Sequence, residues 1–268
     1  MSAFGAEWLA LREPYDARAR NPTILDAAVA SLSGHASVNI ADLACGTGST
    51  LRAFSRRVTA RQNWRLVDND LGLLARAAES TPAGVNAVPV PLDLYRDLEA
   101  ALDGPLDLVT VSALLDLVSE DWLERLVVEI AARQVPIYIA LTYDGRIEFD
   151  SPDPGDTVIV ASVNRHQRND KGFGPALGPA AAMAAVARLE AVGYFVHHGI
   201  ADWMLGPDDR EMQNEVLSGW AAASRELGEL PIAEVAGWLM RRREAVAGGR
   251  SSIRVGHVDV FARPTGIL

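Results

Sequence analysis

The sequence predicts an α/β fold: a doubly wound, mostly parallel sheet of seven strands with helices on both faces. Three observations predict it. Short apolar runs alternate with segments of helical period along residues 38–142, the rhythm of right-handed βαβ units. The first run ends in a glycine-bearing turn, Asp42-Leu-Ala-Cys-Gly-Thr-Gly48, that opens a helix. Two irregular stretches, 143–179 and 204–250, interrupt the rhythm only after the fifth run.

In chain order, residues 4–33 read as helix in two pieces, and Pro14 and Pro22 each suit a helix start or a break. Strands follow at 38–43, 64–68, 86–91, 106–111 and 136–142, with helices between them at about 49–59, 71–80, 95–102 and 119–133. Ser119 suits the N-cap of the last helix, and Glu120 and Asp121 suit the positive end of its dipole. Trp122, Leu123, Leu126, Val127 and Ile130 then share one face. The stretch 143–179 is rich in glycine and proline and holds a short apolar piece, Thr157–Val163. A loop of that length in a compact domain is functional or disordered. A helix at 179–192 stops at Gly193, and a strand occupies 194–200. The insert 204–250 reads as two helices split near Gly228–Pro231, and the last strand is 252–262. An antiparallel last strand sends the 204–250 insert off the same sheet end as the 143–179 loop, the end where such sheets bind ligands. The expected division is a helical lid over 1–36 and one domain over 37–268, with both inserts on the substrate side.

Composition bounds the function. With 268 residues and 49% apolar content, a large core can form. No apolar run reaches the roughly 18 residues a membrane span needs. The early charges Glu7, Arg12, Glu13 and Asp16 do not suit a secretory signal. The lone Cys45 fits a reducing cytoplasm and offers no cysteine-based metal site. A net charge of −10 opposes nucleic-acid binding, and Arg241–Arg243 reads as a solvated helix face. His197 and His198 are adjacent in a strand and so point to opposite faces, unable to share a metal. No metal, nucleic-acid or membrane partner is expected.

The glycine turn brings backbone and free helix-start N–H groups close to a ligand. Asp42, Asp68 and Asp93 end successive strands. Asp68 stands about 20 residues past the turn, where a carboxylate accepts from ribose hydroxyls. A helix N-cap is the competing role there, and Asp70 can fill it. Gly46-Thr-Gly48 is followed by Ser49, Thr50 and Leu51, so the third glycine of a dinucleotide turn is missing. That argues against a nicotinamide-dependent dehydrogenase.

Asp42-Leu-Ala-Cys-Gly-Thr-Gly48 resembles the first motif of class I S-adenosylmethionine-dependent methyltransferases, D/E-x-G-x-G-x-G, with Ala44 in place of the first glycine. Leu66-Val-Asp-Asn-Asp70 resembles the second motif, Val90-Pro-Leu-Asp-Leu94 the third, and Asp107–Ser112 the fourth strand. The resemblance implies the Rossmann-like methyltransferase fold and S-adenosyl-L-methionine as cofactor. It implies that Ala44, Gly46 and Gly48 border the methionine part and that Asp42 positions its amino group, directly or through water. Asp68 would hold the ribose diol, Asn69 and Leu94 would flank adenine with Asp93 near its amine, and Ser112 would lie beside the sulfonium.

The N-terminal segment Trp8–Arg20 reads either as a cover, with Tyr15, Arg18 and Arg20 reaching the methionine carboxylate, or as a solvated amphipathic helix. Candidates for the chemistry are Tyr143 after the fifth strand, His166 in the long loop and Asp116 after the fourth strand. His166 suits a base near neutral pH or a plain surface residue. Asp116 suits an acceptor contact or a helix cap. Trp203 and Trp220 suit pocket walls or packing. A small-molecule acceptor is expected on a monomer or homodimer. A protein or RNA methyltransferase and a non-catalytic cofactor-binding module are the alternatives.

Overall fold

Asn21 and Pro22 divide the N-terminal helices. Helix α1 spans Ala6–Ala19 and α2 spans Pro22–Ala30; Asn21 caps α2 by accepting from the N–H groups of Thr23 and Ile24. Pro22 takes the first-turn position, where its missing N–H costs nothing. Pro14, expected to begin or break a helix, instead lies inside α1. The computed structural model describes residues 5–266; residues 1–4 and 267–268, at the outer ends of the two expected divisions, lie outside the described residues.

The alternating pattern gives β1 (Ser37–Leu43), α3 (Ser49–Ser55), β2 (Arg61–Asp68), α4 (Leu71–Glu79), β3 (Asn86–Pro91), α5 (Leu98–Ala101), β4 (Leu108–Ser112), α6 (Glu120–Arg133) and β5 (Ile137–Phe149). Next come α7 (Asp156–His166), α8 (Ala181–Ala191), β6 (Tyr194–Ile200), β7 (Trp203–Leu205), α9 (Arg210–Leu227), α10 (Ile232–Ala247) and β8 (Ile253–Pro264). Strand order is β3-β2-β1-β4-β5-β8-β6, with β7 also paired to β8. β1 to β5 run parallel, and β8 runs antiparallel to β5, β6 and β7. The seven expected strands are present, and two helices, α9 and α10, lie in the stretch between β7 and β8.

Three departures have physical causes. β5 does not stop at 142 but continues to Phe149, because an equally long β8 pairs with it: Ile147 opposite Val255, Phe149 opposite Ile253. Gly145, at φ 90°, lies within the register shift between Tyr143 and Ile147. The apolar piece in the long loop is helix α7. Its Thr, Val and Ile residues are indifferent helix formers, but Ile159 and Val163 are buried against the cap. β7 is three residues long, too short for an alternation signal.

The core follows the layers. Leu43, Val109, Val111, Ile137 and Ile139 pack one sheet face against α6 and α8. Ile40, Trp64, Leu66, Tyr138 and Phe261 pack the other against α2, α3 and α4. A third cluster joins Tyr143, Trp203, Val216, Trp238, Ile253 and Val255. There the overlong β5 and β8, with β7, leave the parallel sheet and carry α7, α9 and α10 as a cap over the carboxyl ends of the strands.

Candidate active site

The turn after β1 is built by positive φ. Ala44 has φ 53°, Gly46 φ 53° and Gly48 φ 85°. An alanine in this region carries the strain that the motif's glycine would relieve. The backbone of Gly46 donates to Asp68 Oδ2 at 2.9 Å, and a Cβ there would meet Leu9 Cδ1 of α1 at 3.2 Å. Asp68 Oδ1 accepts from the Asp70 N–H at 3.0 Å, and Asp70 caps α4. The capping role thus falls to Asp70, and Asp68 lines the cavity above the turn. Burial pushes its carboxyl above the usual range.

That cavity, about 350 Å³, is lined at one end by Ala44, Gly46, Ser49, Thr50 and Ser112. The other end is formed by Asn69, Leu73, Leu92, Asp93, Leu94 and Phe173. Phe173 is wedged edge-on against Trp122 at 5.4 Å, and Trp122 Nε1 donates to the Leu94 carbonyl at 2.8 Å. Asp170 shapes the loop, accepting from the N–H groups of Gly172 and Gly174 at 2.7 and 3.0 Å.

Three expected residues stand behind the wall rather than on it. Asp42 is 1% exposed; its Oδ1 accepts from Thr110 Oγ1 at 2.7 Å, and its Oδ2 has no partner in the structure. Burial pushes its carboxyl up to about 7. Gly48 packs against Ala77 of α4, where a Cβ would come within 3.3 Å. Arg20 is buried and donates to Thr50 Oγ1 at 3.2 Å and Ser112 Oγ at 3.3 Å, so it holds two hydroxyls of the wall. Tyr15 turns away to Asp209 at 3.0 Å, with Arg18 stacked on its ring.

Helix α1 supplies residues the sequence reading missed. Arg12 Nε donates to Asp16 Oδ2 at 2.9 Å, both residues are buried, and both line the cavity. Trp203 Nε1 donates to Asp16 Oδ1 at 2.9 Å, and the Arg12 guanidinium lies 4.9 Å from the Trp203 ring centroid. Trp8, Arg12 and Asp16 follow i, i+4, i+8 spacing, the signal that could have found them.

A second cavity of about 570 Å³ adjoins the first, and Arg12, Ala113, Leu117 and Lys171 line both. All three candidates for the chemistry line it: Asp116, Tyr143 and His166. Trp8, Trp203, Trp220 and His257 add aromatic wall. Asp116 is 6% exposed, and burial raises it to about 6 against backbone N–H donors and the field of Arg12. The Tyr143 hydroxyl donates to Asn164 Oδ1 at 2.8 Å, and burial pushes it further from ionising. His257 is held neutral, lowered to about 3 by burial. His166 Nε2 meets Glu226 Oε2 at 2.9 Å and its Nδ1 meets Lys171 Nζ at 3.3 Å. An ammonium only donates, so Nδ1 accepts from Lys171 and Nε2–H donates to Glu226; both ring nitrogens are engaged. Ala113, just past β4, and Leu141, in the register shift of β5 between Ile139 and Thr142, hold φ 51° and 54°, and this strained backbone lines the second cavity.

The fit to a sulfonium nucleoside can be judged from these donors. A carboxylate at the β2 end suits a ribose diol. The Leu73, Leu92, Leu94 and Phe173 slot suits a flat base, and the orphaned Asp42 oxygen suits an amino group reached through water. Among the described residues no group of metal-ligating side chains forms, and no helix is long and apolar enough to cross a membrane.

A family model described as "Methyltransferase domain" matches residues 40–136. No curated protein sequence matches the chain. Among solved structures, the YcgJ protein from Bacillus subtilis is similar, with TM-score 0.49 and 14% identity, covering 91% of this chain and 99% of that one. The cyclopropane synthase MmaA2 from Mycobacterium tuberculosis gives TM-score 0.47 and 10% identity, with 89% and 82% covered. A methyltransferase from Thiobacillus denitrificans in complex with S-adenosyl-L-homocysteine gives TM-score 0.46 and 14% identity, with 98% and 100% covered.

Proposed function

Residues 40–136 match a methyltransferase-domain model, and we propose that this chain is a class I S-adenosylmethionine-dependent methyltransferase that methylates a small-molecule acceptor held in the second cavity. The observation that carries this reading is the pair of adjoining cavities with Arg12, Ala113, Leu117 and Lys171 common to both. The cofactor supplies an electrophilic methyl group on sulfur. The chain's own residues orient and enclose it. Asp68 accepts from the ribose hydroxyls, and Asn69, Leu94 and Phe173 hold the base with Asp93 near its amine. Ala44, Gly46 and Ser112 border the methionine and sulfonium end, backed by Asp42, Gly48 and Arg20.

Methyl transfer disperses charge, so positioning and exclusion of water supply much of the acceleration. Helix α1 covers the junction as a lid, and the 143–179 and 204–250 inserts cover the acceptor side. Asp116 acts as general base, since a carboxylate titrating near 6 is deprotonated at neutral pH yet basic enough to take a proton. Tyr143 is a neutral wall. His166 positions Lys171 rather than taking the proton itself. The lone, free Cys45 suits a reducing, cytoplasmic setting.

A protein or RNA acceptor requires an open or basic groove, whereas this cavity is ringed by helices on a chain of net charge −10. Calorimetry with S-adenosylhomocysteine, followed by labelled-methyl transfer into a small-molecule extract, tests the reading. Binding with label in low-mass products is the expected result; label only in RNA or protein reverses the choice, and binding with no transfer supports a non-catalytic module.

A further inference from the structure

The acceptor cavity is not uniformly polar. Trp8, Trp203, Trp220 and Tyr143 give it flat aromatic walls, and Leu117, Val163 and Val216 fill the gaps between them. Such walls select a planar ring over a flexible aliphatic chain. Its charged groups are distributed unevenly. Arg12 and Lys171 lie at the junction where the methyl group must cross, and Asp116 lies beside them. Glu215 is exposed, and His166 is engaged by Glu226 and Lys171. The charge of Arg12 is balanced by two hydrogen bonds to Asp16, at 2.9 and 3.2 Å. Lys171 is held by the imidazole of His166 instead.

We infer that the acceptor is a planar aromatic molecule methylated on a ring hydroxyl, with Lys171 holding the oxygen as it becomes anionic and Asp116 receiving its proton. This deepens, and rests on, the methyl-transfer reading of the paired cavities. With Arg12 neutralised by Asp16, an aromatic or aliphatic ammonium would face Lys171 and the donor's sulfonium together, two like charges in a poorly solvated space. A hydroxyl arrives neutral. Its oxygen forms the new O–C bond as the donor's S–CH₃ bond breaks with the electron pair left on sulfur, and its proton passes to the Asp116 carboxylate and then to water. Lys171 is thus a further binding residue for the reaction, and His166 a positioning residue that acts through it.

The test uses 7-hydroxycoumarin, a planar phenol whose ionised form absorbs at longer wavelength, with the full-length protein saturated with S-adenosylhomocysteine. Calorimetric binding of S-adenosylhomocysteine is read first; its absence overturns the methyltransferase reading itself. With it bound, the probe is expected to bind and to ionise at a pH about one unit lower than when free, a tenfold shift. Lys171→Met should abolish that shift and Lys171→Arg should retain it, in variants of unchanged circular dichroism. Should Lys171→Met not fold, the shift in the wild-type protein stands as the measurement. S-adenosylhomocysteine binding without probe binding, a probe that ionises as it does in water, or tighter binding of 7-aminocoumarin each overturns the hydroxyl assignment while leaving methyl transfer intact.

Discussion

Asp116 shows how a single buried carboxyl acquires a task. Burial raises it to about 6, so it is ionised above that pH and able to receive a proton. As a general base it should make kcat rise with pH through about 6 and level off above. Asp116→Asn should lower kcat by about 10² to 10⁴, measured by labelled-methyl transfer, with little change in calorimetric cofactor affinity. Ala44 makes a second residue-level case. At φ 53° it occupies the position the motif gives to glycine. Ala44→Gly should remove about 1 kcal/mol of backbone strain and raise the melting temperature by about 2 °C in calorimetry; an unchanged or lower value would show the strain to be absent. Ala44 and the strand-end acids Asp42 and Asp68 were legible because the turn makes local demands, an acid at the strand end and a tolerance of positive φ, that show in neighbouring letters. The spacing of Arg12 and Asp16 shows that they share a helix face but not what that face meets, because the contact that buries Asp16 comes from Trp203, 187 positions away.

Among elements, α7 best separates what local sequence reports from what packing decides. Its residues speak weakly for helix, yet Asp156 at its start accepts from Trp238 Nε1 at 2.9 Å and from Arg242 Nε at 3.0 Å. Arg242, 3% exposed, also donates to the Ser151 carbonyl at 2.7 Å and sits 3.9 Å from the Phe149 ring centroid. This one side chain ties α10 to the start of α7 and to the extended end of β5. Arg242→Ala removes the guanidinium from the half-buried Asp156 carboxylate, which keeps its bonds from Trp238 Nε1 and the Asp153 N–H, and should cost about 2 kcal/mol, read as a lower urea midpoint. The extension of β5 was hidden for a related reason. Tyr143-Asp-Gly-Arg reads as a turn, and only pairing with the equally long β8 carries the strand through it. The parallel strands were legible because each is a short apolar run bounded by turn residues, a signal that needs no distant partner.

At the scale of the whole molecule, the sheet stores acids at its carboxyl end, and this shapes stability against pH. Asp42 sits about 7 in the folded protein against an ordinary 3.8. The folded state therefore binds more protons than the unfolded chain between those values. Its contribution is fully present below about 4 and is lost as pH rises through about 7. Asp116 acts in the same direction up to about 6, whereas His257, lowered to about 3, acts oppositely below its ordinary 6.5. Asp42→Asn isolates the first effect. Measured by thermal unfolding, the stability of the variant relative to the wild type should rise steadily from pH 4 to pH 8; a difference that does not change over that range would contradict a buried, ionising Asp42.

Helix α1 presses Leu9 onto the turn at Gly46 while its other residues, Trp8 and Arg12, wall the neighbouring cavity. One rigid rod therefore roofs both chambers, and it cannot admit one guest without disturbing the seat of the other. Turnover should follow a compulsory order, methyl donor on first and demethylated donor off last. Initial-rate studies should then find S-adenosylhomocysteine competitive against the donor and non-competitive against the acceptor, and random-order patterns would show that α1 yields to each substrate independently.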